Sequence, residues 1–221
     1  MPNKSFDGEG AYNFLTPIGR WLIGTWFSPK LYNTEMIPAE GPIIIVSNHK
    51  HIMDQFLTIM STKRTIHYLA KKECFEGPFA WFFKMVGCIP VDRKNKNPEA
   101  KNYAMEILNA GGAIGLFPEG TRNKTNDQLL LPLKFGAVSM AQKTGAVIVP
   151  TCVTGDYKFR SKNLNTYFGT PFKIAKDMNL EEANEKLAET IQGLMHKSCA
   201  MTGRTMEEEL ASRCQDQKKS K

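Results

Sequence analysis

Residues 42–54 read Pro-Ile-Ile-Ile-Val-Ser-Asn-His-Lys-His-Ile-Met-Asp. A short apolar run rich in Ile and Val predicts a buried strand, here ending near Val46. The residues that follow supply the imidazole of His49 and, five positions later, the carboxylate of Asp54. Five residues of ideal helix turn through about 500°, so one straight helix would not bring these side chains together. The spacing therefore predicts that His49 lies in a turn and that Asp54 lies in the first turn of the following helix.

A histidine beside a carboxylate suggests acid–base chemistry. Histidine titrates near neutral pH and can take a proton from a hydroxyl group. A carboxylate on the other ring nitrogen would fix the tautomer and stabilise the imidazolium that forms. A purely structural interpretation is also open, in which His49 caps the helix and Asp54 favours its positive N-terminus.

The composition is typical of one globular domain. A chain of 221 residues can bury a substantial α/β core, and 42% hydrophobic residues is too few for a protein with several membrane spans. The 29 Lys and Arg exceed the 22 Asp and Glu. The excess lies mainly in residues 56–102, whereas residues 177–209 are acidic. The basic segment predicts an anionic substrate or surface, with a solvated charged face as the alternative.

The cysteines indicate a reduced environment. Five cysteines are scattered without a Cys-x-x-Cys pair, and an odd number argues against a disulfide framework. We therefore expect a protein of the cytoplasmic side. The first ten residues are polar and contain glycine, so they do not predict an export signal.

An amphipathic helix is predicted near the N-terminus. Apolar residues fall at helical spacing on one side at Ala11, Phe14, Leu15, Ile18, Trp21, Leu22 and Trp26. Pro17 and Arg20 interrupt the segment, and its length barely reaches the minimum for a membrane span. Tryptophans beside an arginine suit the membrane interface, so we predict a helix lying on the membrane. Packing against the protein's own core would also explain the pattern.

The rest of the chain alternates strand-like and helix-like stretches, which predicts an α/β fold with a mostly parallel sheet flanked by helices. The tail, residues 215–221, is polar and is expected to be frayed. Active sites in open α/β sheets lie at the carboxyl ends of the strands. Five apolar runs end in polar or special residues, namely Asn48-His49, Lys71-Lys72-Glu73, Asp92-Arg93, Glu119-Gly120-Thr121-Arg122 and Pro150.

These residues supply a general base but no protein nucleophile. The chain has no Gly-x-Ser-x-Gly elbow and no cysteine in a reactive context. The attacking hydroxyl is therefore expected to belong to a substrate. The basic residues at the strand ends would suit an anionic phosphate. They are Lys71, Lys72, Arg93 and Arg122, and the sequence does not separate Lys71 from Lys72.

Four blocks resemble the glycerolipid acyltransferases, particularly the bacterial 1-acyl-glycerol-3-phosphate (lysophosphatidate) acyltransferases. The first block is the Asn-His-x4-Asp pattern of residues 48–54. The second is Gly-Cys-Ile-Pro-Val-Asp-Arg at 87–93, the third is Phe-Pro-Glu-Gly-Thr-Arg at 117–122, and the fourth is Val149-Pro150. The resemblance runs in order from about Pro38 to Pro171.

The resemblance implies a reaction. A fatty acyl group would move from acyl-CoA or acyl carrier protein to the free hydroxyl of a lysophospholipid. His49 would act as the general base and Asp54 would orient it, and the leaving thiolate would recover the proton. A thioester is already activated, so neither a metal nor a further cofactor is expected.

The resemblance also implies the substrate-binding residues, which are Lys71, Arg93, Glu119, Gly120, Thr121 and Arg122. Lys71, Arg122 and Arg93 would grip the phosphate of the acceptor, and Glu119 and Gly120 would shape its pocket. Glu119 could instead pair with Arg122 and only stabilise the turn.

We divide the chain into residues 1–36, an N-terminal amphipathic membrane-associating segment, and residues 37–221, an acyltransferase domain. The expected location is the cytoplasmic side of the cell membrane, as a peripheral or monotopic protein. Glycerol-3-phosphate or another lysophospholipid is an alternative acceptor, because these enzymes share their blocks. A lipid- or membrane-binding protein without turnover is an alternative of a different class. The sequence pI of about 9.1 also suggests nucleic-acid binding, but no recognition motif supports it.

Overall fold

A seven-stranded sheet forms the centre of the protein. The computed structural model describes residues 9–78, 80–92 and 98–218. The strands are β1 (Lys30–Tyr32), β2 (Ile43–Ser47), β3 (Ile66–Lys71), β4 (Ile89–Val91), β5 (Ala113–Leu116), β6 (Val147–Thr154) and β7 (Asn165–Phe168). Their order in the sheet is β1-β7-β6-β2-β5-β3-β4. The strand expected at residues 42–46 is thus central, between β5 and β6.

All neighbouring strands run parallel except β6 and β7, which are antiparallel. The prediction of a mostly parallel sheet is therefore confirmed. Because β2, β3 and β5 share one direction, the loops that follow Ser47, Lys71 and Leu116 all leave the sheet at the same edge. This edge carries the candidate site.

Helices cover both faces of the sheet. They are α1 (Glu9–Phe27), α2 (Asp54–Met60), α3 (Ala80–Met85), α4 (Pro98–Asn109), α5 (Gly136–Thr144), α6 (Leu180–Met201) and α7 (Met206–Lys218). Side chains of β2 point alternately to the two faces, as the period of a strand requires. Ile44 and Val46 pack in the cluster that includes α4, α5 and α6, whereas Ile43 and Ile45 belong to the cluster on the opposite face. A strand buried on both faces explains the unbroken apolar run.

Helix α7 extends further than the sequence predicts. Residues 215–218 of the tail that we expected to be frayed lie in α7, which continues to Lys218, and residues 219–221 lie outside the described residues. The sequence did not predict α7, because its composition is polar and one buried glutamate among exposed ones produces no apolar stripe. That glutamate, Glu209, is fully buried.

Helix α1 has one face on the protein and one in solvent. Tyr12 and Ile23 are buried, and the Arg20 side chain donates hydrogen bonds to the carbonyl oxygens of Ile59 and Thr62, at the end of α2. The opposite face exposes 67% of Trp21 and 58% of Trp26. Among the residues that the structure describes, no helix is long and apolar enough to cross a membrane. The expected packing on the protein and the expected exposed apolar face therefore occur on the same helix.

Candidate active site

The end of β2 is locked to β6 by the side chain of Asn48. This buried amide donates to the carbonyl oxygen of Val153 at 2.9 Å and accepts from the Val153 N–H at 2.7 Å. A side-chain amide thus continues the ladder of the sheet by one step. The next residue, His49, begins the loop from a fixed position.

His49 and Asp54 form the predicted pair. Asp54 is the first residue of α2, and its Oδ2 lies 2.9 Å from Nδ1 of His49, which precedes the helix. The His49 side chain is 16% exposed and the Asp54 side chain is fully buried. A hydrogen donated from Nδ1 to the carboxylate leaves the lone pair on Nε2 as the proton acceptor. This geometry is the one that a general base requires.

Three further donors fix the carboxylate of Asp54. The backbone N–H groups of Lys50 and His51 each donate to Oδ2 at 2.8 Å. The hydroxyl group of Tyr157 donates to Oδ1 at 2.7 Å. A buried carboxylate with hydrogen bonds on both oxygens has a single orientation. The sequence analysis missed Tyr157, which lies 103 residues away from Asp54.

The imidazole plane is set by an aromatic neighbour. The His49 ring stacks on Phe117, with 4.0 Å between ring centroids and 10° between planes. Phe117 in turn stacks on Tyr68 at 5.5 Å. Phe117 opens the block at 117–122, so this block supports His49 directly.

Glu119 and Asn123 hold the backbone of His49 from both sides. Glu119 is buried, and its two carboxylate oxygens accept the N–H groups of His49 at 2.7 Å and of Leu131 at 2.9 Å. The N–H of Asn123 donates to the carbonyl oxygen of His49 at 2.6 Å. These bonds give Glu119 a structural task at the site, and its contact with an acceptor stays a prediction.

Lys71, Thr121 and Arg122, three of the other predicted binding residues, lie at the same edge of the sheet. Lys71 ends β3, and Thr121 and Arg122 follow β5, and all three are exposed. Arg93 lies outside the described residues. The roles of Lys71, Arg93, Thr121 and Arg122 in binding stay predictions.

Gly120 makes room for a lysine that the sequence analysis did not select. Its φ of +70° is one that residues with a side chain rarely adopt, and a Cβ there would lie 2.7 Å from Nζ of Lys134. Gly120, Lys134 and Phe117 line a cavity of about 240 Å³. Lys134 therefore places a further cation beside the residue that stacks on His49.

The half-buried Cys88 and the buried Cys152 are both unreactive as nucleophiles. Burial, with a smaller effect of the nearby Cys74, raises the pKa of the Cys88 thiol to about 12. Burial also raises the pKa of Cys152 well above its ordinary value. A raised pKa keeps each residue as a thiol, which is a much poorer nucleophile than a thiolate. This agrees with the expectation that neither residue attacks a substrate.

A large apolar cavity lies beside the pair. It has a volume of about 390 Å³ and lies between α1, α2 and α3. Ile52 and Met53, which connect His49 to Asp54, form part of its wall. Other residues in the wall are Leu15, Ile18, Gly19, Phe56, Ile59 and Phe82. Polar residues such as Thr16, Arg20 and Gln55 also line the cavity, but apolar atoms form most of its wall, which suits an aliphatic chain.

The fold and the site define a class of protein: an α/β protein with a hydrogen-bonded His–Asp pair at the carboxyl ends of its strands, beside an apolar cavity. A family model described as acyltransferase matches residues 28–154. The chain belongs to this acyltransferase family, and it is an acyltransferase.

Known proteins with related sequences support the assignment to the acyltransferase family. A 1-acyl-sn-glycerol-3-phosphate acyltransferase of Bacillus subtilis (strain 168) is 32% identical over 189 residues, which cover 83% of this chain and 92% of that protein. A protein of the same name from Borreliella burgdorferi is 33% identical over 150 residues, 66% of this chain and 58% of that protein. A chloroplastic one from Arabidopsis thaliana is 29% identical over 188 residues, and this chain spans 52% of its length.

The fold also has a solved counterpart. The crystal structure of the 1-acyl-sn-glycerophosphate (LPA) acyltransferase PlsC from Thermotoga maritima matches with a TM-score of 0.68 at 22% identity. The match covers 86% of this chain and 82% of that one. At this identity, the likeness supports the architecture.

Proposed function

We propose that this enzyme transfers a fatty acyl group from an acyl thioester to the sn-2 hydroxyl of 1-acyl-glycerol-3-phosphate, giving phosphatidate. The observation that carries the proposal is the hydrogen-bonded His49–Asp54 pair at the strand edge. The names of the related proteins support this choice of acceptor. Either acyl-CoA or acyl carrier protein would serve as the donor.

His49 acts as the general base. Its Nε2 takes the proton of the acceptor hydroxyl as the oxygen attacks the thioester carbonyl carbon. The new C–O bond forms, a tetrahedral intermediate follows, and the C–S bond then breaks. The leaving thiolate recovers the proton from His49. Asp54 stabilises the imidazolium between these two steps. The thioester is already activated, so we propose that the transfer needs no metal or further cofactor.

We propose that Arg122 and Lys71, at the sheet edge, are the main ligands of the acceptor phosphate, and that Arg93 is a third. Arg122→Ala is expected to raise the KM for lysophosphatidate about tenfold or more, because a hydrogen bond to a charged group contributes about 1.5–3 kcal/mol. A phosphate-free acceptor such as monoacylglycerol should show little change in KM. The measurement is steady-state kinetics with both acceptors.

The control for this variant is Lys143→Ala. Lys143 is an exposed cation near the C-terminal end of α5, just before β6 begins at the opposite edge of the sheet. It should leave both KM values unchanged. Equal effects of Arg122→Ala on the two acceptors would remove Arg122 from the phosphate site.

The apolar cavity holds the acyl chain of the donor or the acceptor. Gly19 is the best residue to test this, since it lies on the same stripe of α1 as the buried Tyr12 and Ile23, and a Cβ there would meet no atom within 4 Å. Gly19→Leu is expected to fill part of the cavity. The ratio of kcat/KM for a C16 donor to that for a C10 donor should fall about tenfold, because each methylene excluded from an apolar site costs about 0.8 kcal/mol.

Gly10→Leu is the matched control, since Gly10 is exposed on the same helix and also has open space around its Cα. In Gly10→Leu, the order of kcat/KM for donors of different chain length should be the same as in the wild type. If Gly19→Leu also keeps the wild-type ranking with donors and lysophosphatidates of different length, the cavity does not hold the acyl chain.

We propose peripheral or monotopic attachment to the cytoplasmic side of the membrane through the exposed face of α1. Trp26 on this face contacts Phe159, with 5.1 Å between the two ring centroids, and Phe159 is 62% exposed. Arg160 lies over the same ring, at 5.6 Å from its centroid. Exposed aromatic rings beside a cation are typical of proteins that bind the membrane interface.

The function is tested by a thiol-release assay with palmitoyl-CoA and three conditions: lysophosphatidate, glycerol-3-phosphate and no acceptor. Thiol release that depends on lysophosphatidate supports the proposal. Thiol release with glycerol-3-phosphate but not with lysophosphatidate would show that glycerol-3-phosphate is the acceptor. If no thiol is released from palmitoyl-CoA with any acceptor, the assay is repeated with palmitoyl acyl carrier protein. No thiol release from either donor, together with retained liposome binding, would favour a lipid-binding protein without turnover.

A further inference from the structure

Glu209 is a buried charge at a distance from the reacting atoms. It lies in α7 and is fully buried. Its carboxylate accepts a hydrogen bond from the Lys50 ammonium group, whose side chain is 1% exposed, and another from the N–H of Gly155 at 2.8 Å. Nε of Arg204 lies 3.1 Å from Oε2 as an ion-pair contact. A buried ion pair adds little net stability over apolar residues of the same shape. A buried ion pair at this place therefore calls for an explanation other than stability.

The two segments that Glu209 binds are the ones that orient Asp54. The backbone N–H of Lys50 donates to Oδ2 of Asp54, and Gly155 stands two residues before Tyr157, which donates to Oδ1. The Lys50 ammonium also donates to the carbonyl oxygen of Gly155 at 2.6 Å, so the two segments are tied to each other. One carboxylate of α7 thus secures donors on both oxygens of Asp54.

Arg204 supports the second segment from the other side. It contacts Asp156, between Gly155 and Tyr157, at 3.0 Å while its Nε faces Glu209. Burial of Asp156 disfavours its charge, but hydrogen bonds from Arg204 and Asn163 outweigh burial and hold the pKa of Asp156 well below its ordinary value. The turn that carries Tyr157 is therefore fixed by a continuous set of charged contacts.

We propose that Glu209 is a positioning residue for the His49–Asp54 pair. It acts through Lys50 and through the turn at 155–157, and it touches no reacting atom. Both Tyr157 and Glu209 lie beyond residues 28–154, the stretch that the family model matches. The effect on turnover rests on the proposed function, whereas the effect on the geometry of the pair does not.

The test compares Glu209→Gln with Glu207→Gln, which removes the same charge from an exposed position on the same helix. For Glu209→Gln we expect kcat per folded molecule to fall about 10- to 100-fold, since displacing a catalytic group by about 1 Å can cost 10²-fold. The KM for either substrate should stay within about twofold, because no binding group is altered. Glu207→Gln should match the wild type in kcat and KM. The folded fraction is measured by near-ultraviolet circular dichroism.

A second variant guards against loss of folding. Lys50→Met combined with Glu209→Leu removes both charges and leaves no buried charge without a partner, an exchange that proteins often tolerate. It should fold and show the same loss of kcat. Wild-type kcat in either folded variant would overturn the proposal, as would a loss that disappears once activity is corrected for the folded fraction.

A spectroscopic measurement separates this proposal from the proposed function. Proton NMR of protein labelled with ¹⁵N-histidine detects the Nδ1–H of His49 that is hydrogen-bonded to Asp54, and His49→Gln assigns the signal. We expect the signal in the wild type and in Glu207→Gln, and its loss through exchange with water in Glu209→Gln. An unchanged signal in Glu209→Gln would overturn the positioning role, whatever the thiol-release assay shows.

Discussion

His49→Ala is expected to lower kcat by about 10²- to 10⁴-fold while the protein remains folded. A positioned general base contributes about this much to a proton transfer. The imidazole of His49 lies 2.9 Å from the Asp54 carboxylate through Nδ1, which leaves Nε2 to take the proton. The measurement is the rate of thiol release at saturating donor and acceptor, with a thermal melt as the test of folding.

His196→Ala is the matched control, because His196 is exposed on α6. It should retain wild-type turnover. The fold should tolerate His49→Ala, since the surrounding backbone is held by Asn48, Glu119 and Asn123 and not by the imidazole. Turnover above about a hundredth of the wild-type rate would show that His49 is not the general base.

Local sequence patterns predicted the elements that place the site. The apolar run at 43–46 is too short and too rich in β-branched residues for a helix, and it forms the central strand β2. The spacing of His49 and Asp54 rejected one continuous helix, and the structure has a turn followed by α2. Both inferences depend on residues that are close in sequence. Local geometry decides such contacts, so they can be predicted without the tertiary structure.

The supports of the site could not be predicted in this way. Tyr157 binds Asp54 across 103 residues, and Glu209 binds Lys50 across 159. Sequence periodicity reports which face of an element is apolar, but not which distant loop meets it. Glu209 also follows Glu207 and Glu208, so the three glutamates together have the appearance of a solvated acidic turn. Burial of one of the three depends on where α7 packs, and this is a property of the whole fold.

Asp54→Asn is expected to lower kcat by about 10²- to 10⁴-fold, close to the effect of removing His49 itself. The amide oxygen can occupy the place of Oδ2 and accept the N–H groups of Lys50 and His51, while its NH₂ faces the Tyr157 hydroxyl. The geometry is therefore kept and the charge is lost. Without the charge, the imidazolium that forms on His49 loses its stabilising partner. Because Asp54 is buried, removing its charge from the first turn of α2 should cost about 2 kcal/mol of stability, the upper end for a charge at a helix N-terminus.

The double variant His49→Ala with Asp54→Asn decides whether the two residues act as one unit. If Asp54 works only through His49, the double variant should be no slower than His49→Ala alone, because groups that act together are strongly non-additive. Steady-state kcat of the two single variants and of the double variant gives the coupling directly, and Asp177→Asn, at an exposed position, controls for the loss of one carboxylate. Additive losses would mean that Asp54 contributes independently of His49. In that case the 2.9 Å contact would be a structural bond at the start of α2 and not part of the catalytic machinery.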